Sequence, residues 1–217
     1  MILKAIFLIG GGYLLGSIPF GYIFSKLFKG VDIRKLGSGN VGGMNVFTKV
    51  GPLPGVLTGF CDVAKGFLPV LLAKKLGVSL WVIGAVALSP ICGHNWPLFL
   101  SFQGGQGIAT SLGAITPLLY REVGLAILVG VVVGFLSKPL SLPGWFSSGR
   151  AAGGFVGYTL FVVLVFILES SWVMRGMVIG LCGVLLIKQI EGVITRRGYM
   201  RELIVSLSSL FKRRRDG

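Results

Sequence analysis

The sequence predicts an all-α, polytopic membrane protein with about seven transmembrane helices, its N-terminus outside and its C-terminus in the cytoplasm. Three observations carry this. Of the 217 residues, 53% are hydrophobic and only 13% are charged, against roughly a quarter charged in a soluble domain. The apolar residues run in blocks divided by short polar breaks, and the chain has room for six to eight spans of about 20 residues. Lys and Arg are unevenly shared among those breaks.

The first block, residues 2–24, is too long for the core of a cleaved signal peptide and has no small-x-small site after it, so it reads as a retained span. Blocks 55–73 and 78–100 have the length a bilayer needs. Blocks 107–120 and 123–137 are shorter and call for tilt or for shielding by neighbours. Blocks 151–171 and 173–190 are again of span length. No soluble domain fits between any two blocks, so residues 1–198 form one transmembrane domain. Residues 199–217 form a basic tail. In it Leu203, Leu207, Leu210 and Phe211 share one face of a helix that would lie on the cytoplasmic interface. The same residues also suit a basic end that only sets topology.

With the N-terminus outside, the inner breaks and the tail hold 15 of the 21 Lys and Arg residues, the outer breaks hold five, and Lys65 lies within a span. This bias gives the N-out, C-in orientation. The net charge of +14 therefore belongs to a cytoplasmic face beside anionic lipid, and nucleic acid is rejected as a partner. Cys61, Cys92 and Cys182 are odd in number, sit in apolar blocks and show no C-x-x-C spacing. They point to neither a disulfide framework nor a zinc site.

Three inner loops hold the unusual residues. VDIRKLGSGNVGGMNVFTKVG, 31–51, combines glycines with Ser38, Asn40 and Asn45, a composition that can form a nest of backbone N–H groups for an anion. Its Val41 and Val46 argue against a free linker. ICGHNWPLFLSFQGGQGIATSLG, 91–113, places Gly104, Gly105 and Gly107 just before a helix start. There free N–H groups and the helix dipole favour phosphate. The Walker lysine and spacing are absent, so nucleotide is not implied. A tight re-entrant turn, or glycines for close packing, fits the same residues. His94, the single histidine, stands just ahead of this turn. Asp62 and Lys65 lie three apart on one helix face, inside a span, where ionisable groups face a polar interior or each other. LSKPLSLPGWFSSGR, 136–150, adds Lys138, Ser141 and Arg150 to the same side.

These stretches resemble the bacterial acyl-phosphate-dependent glycerol-3-phosphate acyltransferases. The likeness covers about residues 16–113, from GSIPFGYIFSKLFKGVDIRKLGSGNVGGMN through FCDVAKGFLPVLLA to GHNWPLFLSFQGGQGIATSLG, and is weaker beyond. Gly37 to Asn45 resembles the family's G-S-G-N-x-G-A-T-N. Gly93-His94 and Gln103 to Thr110 resemble its G-H-x-x-P…K-G-G-K-G-V-A-T. The resemblance implies a seven-span enzyme of the bacterial plasma membrane with its site facing the cytoplasm. It implies transfer of a fatty acyl group from acyl phosphate to the sn-1 hydroxyl of glycerol 3-phosphate, giving lysophosphatidate and phosphate. No metal or coenzyme is implied, and contact with other phospholipid-synthesis enzymes is in keeping with it. Ser38, His94 and Gln106 would then be catalytic. Gly37, Gly39, Asn40, Asn45 and Lys49 would serve the acceptor. Gln103, Gly104, Gly105, Gly107 and Thr110 would serve acyl phosphate, with Ser141 adding a contact.

The sequence also departs from the family pattern. Thr48 stands where the family has arginine, Gln103 and Gln106 where it has lysines. Lys188-Gln189-Ile190-Glu191-Gly192 lacks the His and Asn of its third motif. A hydrogen bond to a charged group contributes about 1.5–3 kcal/mol, so these losses call for replacement by Lys49, Lys35, Arg34 or Lys138. An acceptor of lower charge, or a non-catalytic lipid-binding or scaffold role, would fit the same departures.

Overall fold

The computed structural model describes residues 2–136, 149–169 and 171–213. Among them there are helices and no strands. In chain order these are α1 (Ile2–Gly16), α2 (Phe20–Lys29), α3 (Gly43–Lys49), α4 (Pro52–Lys75), α5 (Leu80–Asn95), α6 (Ile108–Ile115), α7 (Tyr120–Leu136), α8 (Gly149–Leu168) and α9 (Trp172–Arg213). Short 3-10 turns occupy Ile33–Lys35 and Leu98–Leu100. The stretches Ile2–Lys29, Pro52–Lys75 and Trp172–Gly192 are each long and apolar enough to cross a bilayer. Large side chains such as Phe7, Phe60 and Trp172 are exposed along them, as lipid-facing surfaces require.

Several elements differ from the sequence reading. The first block is broken into α1 and α2 at Ser17-Ile18-Pro19, because proline lacks the N–H that would continue the helix. The loop read as irregular contains α3, which carries Asn45. The block 107–120 yields only the eight residues of α6, about 12 Å long, which is under half of a hydrocarbon core of about 30 Å. α6 is shielded instead: Thr110, Ser111, Gly113, Ala114 and Ile115 are buried. Helix α9 runs for 42 residues, about 63 Å, straight through the expected boundary at residue 198.

The main apolar core joins Val70 of α4, Val86 and Ile91 of α5, Ala114 and Ile115 of α6, Val123 of α7, Val165 of α8 and Val178 and Leu181 of α9. A second, smaller core packs Ile33, Val41, Val46, Val50 and Leu100 beneath the first glycine loop. Glycine sets the helix spacing. A Cβ on Gly16 would strike the backbone of Pro90, and one on Gly93 the backbone of Tyr13 and Ser17, so α1 lies directly on α5. A Cβ on Gly66 would strike the Thr110 carbonyl, and one on Gly113 the Val63 carbonyl, so α6 lies on α4. Lipid gives helices no hydrophobic reason to associate, and small residues allow the close contact that does.

One polar group ties this packing together. Lys65 Nζ lies 2.8 Å from Asp62 Oδ1, one turn away on α4, and both side chains are 2% exposed. The same ammonium donates to the Ile18 carbonyl at 2.9 Å, the carbonyl freed by the break between α1 and α2. Breaking a buried pair by removing one partner leaves an uncompensated charge and typically costs about 3–5 kcal/mol. Lys65→Met is therefore expected to lower the thermal unfolding midpoint of the detergent-solubilised protein strongly. Adding Asp62→Asn should recover part of the loss, which unfolding scans of the single and double variants will show.

Candidate functional site

Two of the glycine-bearing loops and the ends of α3, α5 and α6 enclose a cavity of about 720 Å³. Its wall includes Gly37, Ser38, Asn40, Asn45, Thr48, Lys49, Asp62, His94, Gln106, Gly107, Ile108 and Leu112. Of the residues expected at a site, eight meet here: Gly37, Ser38, Asn40, Asn45, Lys49, His94, Gln106 and Gly107.

The first loop is closed by its own side chains. Asn45 Oδ1 accepts the Ser38 N–H at 3.2 Å. Asn45 Nδ2 donates to the carbonyls of Asn40 at 2.8 Å, Leu36 at 3.0 Å and Ile33 at 3.4 Å. Asn40 Oδ1 accepts from Gly42 N–H, Ser38 Oγ accepts from Asn40 N–H, and Gly39 N–H bonds the Leu36 carbonyl. The expected nest of free N–H groups is thus absent at these positions, because the Asn45, Asn40 and Ser38 side chains and the Leu36 carbonyl take them up. What this loop presents to the cavity is side chains: the Ser38 hydroxyl, the Asn40 amide and Lys49. Asn45 and Gly39 shape the loop, and Gly39 is outside the wall.

The second loop is different. Gly107, at φ +77°, caps α6 without any side-chain hydrogen bond, so the first N–H groups of an eight-residue helix open at the cavity beside Gln106. Gly105 N–H is bonded to the His94 carbonyl at 3.0 Å and is not free. A Cβ on Gly105 would collide with His94 Nε2 and lie 3.0 Å from Asn40 Oδ1; this residue is the seam between the two loops. Gly104 packs on the His94 backbone and Pro97. Gln103 is exposed, its N–H closing the turn onto Leu100. Gly104, Gly105 and Gln103 stand outside the cavity wall. Thr110 does too: it is fully buried, on the turn of α6 pressed against Gly66. Ser141 and Lys138 lie outside the described residues.

His94 is buried, and its Nδ1 stands 3.5 Å from Asp62 Oδ1, the oxygen that also meets Lys65. Such contacts are often long before a ligand binds. Neither His94 Nδ1 nor Asp62 Oδ1 has a hydrogen-bond partner within geometric limits; a proton on Nδ1 would face the carboxylate, which leaves Nε2, the nitrogen beside Gly105, free to accept. This Asp–His pair joins α4 to α5 across 32 positions of sequence, and nothing in the sequence pattern announced it. Also unanticipated is the brace outside the wall. Trp96 Nε1 donates to Glu191 at 2.8 Å, Lys188 lies 3.0 Å from the same carboxylate, and Tyr13 O–H donates to the Trp96 carbonyl at 2.9 Å. Arg34 forks onto Asp32 through Nε and Nη2. That side-chain hydrogen bonding holds the Asp32 carboxyl below its ordinary value. Among the described residues no three His, Cys, Asp or Glu side chains group as metal ligands.

A second, apolar pocket of about 280 Å³ adjoins the cavity. It shares Ile108 and Leu112 with it and continues between α6, α7, α8 and α9 past Ile115, Val123 and Phe161.

The family profile described as glycerol-3-phosphate acyltransferase matches residues 6–197. A glycerol-3-phosphate acyltransferase of Desulforamulus reducens is 44% identical over 140 residues, which is 64% of this chain and 70% of that protein. The crystal structure of PlsY, an integral membrane glycerol 3-phosphate acyltransferase, in its glycerol 3-phosphate form, superposes with a TM-score of 0.75. It is 32% identical and covers 88% of this chain and 90% of that one. The lysophosphatidic acid form of PlsY gives a TM-score of 0.71 at 32% identity, covering 89% of this chain and 93% of that one.

If Asn45 closes the first loop, Asn45→Ala unlatches it. Each lost hydrogen bond contributes about 0.5–1.5 kcal/mol, and amide exchange over residues 36–42 should accelerate while that of α4 stays unchanged. Hydrogen-exchange mass spectrometry of the two proteins measures this.

Proposed function

This chain belongs to the glycerol-3-phosphate acyltransferase family, and we propose that the cavity is where it transfers a fatty acyl group from acyl phosphate to the sn-1 hydroxyl of glycerol 3-phosphate. The enzyme is an integral membrane acyltransferase of phospholipid synthesis. The observation that carries the reading is the meeting of a polar cavity and an apolar pocket at Ile108 and Leu112. A donor with a fatty tail and a phosphate head needs both, in contact.

The acyl tail lies in the pocket between α6 and α9, and the acyl phosphate head faces Gln106 and the N–H groups opening α6. Those donors hold the phosphate and meet the charge that develops on the acyl oxygen. The acceptor sits at the first loop, where Ser38 O–H and the Asn40 amide donate to it and fix its hydroxyl beside the acyl carbon. His94 Nε2 takes the hydroxyl proton as the new C–O bond forms and the C–O bond to phosphate breaks, then returns it to the departing phosphate. Asp62 stabilises the ring while it carries that proton. Asn45 and Gly105 position these groups without touching substrate.

The site opens to the cytoplasm of a bacterial plasma membrane, with the N-terminus outside and the C-terminus inside. The support is the bias of 15 inner against five outer Lys and Arg residues. Seven passages satisfy it, the fourth completed by the loop that leads into α6 inside the bundle. Residues 1–198 make the acyltransferase domain, and 199–217 its basic cytoplasmic tail.

Reconstituted in lipid with acyl phosphate and labelled glycerol 3-phosphate, the purified chain is expected to release lysophosphatidate and phosphate one for one. A folded sample yielding neither overturns the reading. His94→Ala should lower kcat roughly 10²–10⁴-fold. Gly105→Ala, whose Cβ meets the same ring, should lower it without unfolding the bundle.

A further inference from the structure

On the proposed reaction the cavity receives two phosphates, yet its wall carries one Lys or Arg among the described residues, Lys49. Among the described residues each neighbouring cation is either held by another group or off the wall. Lys65 is held by Asp62 and the Ile18 carbonyl. Arg34 is forked on Asp32. Lys29 donates to the Lys49 carbonyl at 3.0 Å. Lys188 pairs with Glu191. Lys35 is exposed and off the wall. The loop glutamines are neutral, and Asp62, the acid in the wall, repels an incoming phosphate.

Lys49 is placed to answer this. It ends α3, it is exposed to the cavity, and no carboxylate lies within ion-pair distance of it among the described residues. Its stem rests on Gly37, where the backbone turns at φ +60° and a Cβ would stand 3.0 Å from Lys49 Cγ and 2.8 Å from Cε. Glycine at 37 both permits that turn and leaves the groove in which the stem lies. Neither residue belongs to the wall of the apolar pocket. Lys49 thus lines the polar cavity and not the pocket assigned to the acyl tail.

We propose that Lys49 is the cation that binds the phosphate of the acceptor, and so sets the preference for an anionic acceptor over a neutral one. The proposal rests on the acyltransferase reading above. A lost charge-assisted hydrogen bond corresponds to about a 10- to 100-fold weaker interaction.

The test is steady-state kinetics of the full chain in lipid, varying each substrate in turn. Lys49→Gln should raise KM for glycerol 3-phosphate about 10- to 100-fold, with kcat and the KM for acyl phosphate little changed. It should also narrow the preference for glycerol 3-phosphate over glycerol. Lys49→Gln with Gln106→Lys, which returns one charge to the same wall, should recover part of the loss. Lys75→Gln, at the far end of α4, controls for charge alone and should match the parent. An unchanged acceptor KM in Lys49→Gln, or a rise confined to acyl phosphate, overturns the proposal while leaving the function intact. A parent protein with no transfer at all overturns the function first.

Discussion

The buried ammonium of Lys65 is the constraint on which the rest of the arrangement depends. A charge placed at membrane depth must be matched, and here three elements are drawn in to match it. Asp62 supplies the counter-charge from the same helix, and α1 and α2 part to offer the Ile18 carbonyl. His94 on α5 approaches the same carboxylate oxygen. The break that Pro19 imposes on the first helix supplies that carbonyl. The register of α5 against α4 supplies the histidine, and so sets it beside the second glycine loop.

Around that centre, glycine decides what can approach. The two polar loops come together at Gly105, where even a methyl group would displace His94 or Asn40. The helices beneath come together through Gly16, Gly66, Gly93 and Gly113. The loops also differ in kind. In the first, the amide of Asn45 gathers the backbone inward and leaves side chains to face the cavity. In the second, the start of α6 leaves backbone donors to face it. One cavity therefore offers an anion two chemically distinct surfaces, side-chain groups on one wall and peptide N–H groups on the other.

Much of this was legible in the sequence. The all-helical membrane class, the span in α4, the helix start at Ile108 and the clustering of Ser38, Asn40, His94 and Gln106 follow from hydropathy, from glycine placement and from the motif likeness. What was not legible is instructive. Gly43 to Lys49 contains Gly, Met, Asn and Thr, a weak local case for helix, and α3 forms because Val46 is buried in the small core beneath it. Asn45 looks like a ligand for substrate until its bonds are counted. Thr110 faces α4 because α6 packs by its small residues, a direction that one-dimensional spacing did not reveal. The Asp62–His94 contact joins residues 32 positions apart, and no local pattern encodes it.

The shared wall of the two pockets bears on timing. On the proposed reaction, Ile108 and Leu112 hold the first carbons of the tail at the edge of the polar cavity, so the scissile bond lies at that boundary. After transfer, inorganic phosphate has no apolar part and is free to go to water, while the new ester still has its chain between α6 and α9. Departure is then ordered: the small anion leaves first, and the lipid follows sideways into the bilayer. The order would come from where each product can be solvated, without a moving gate.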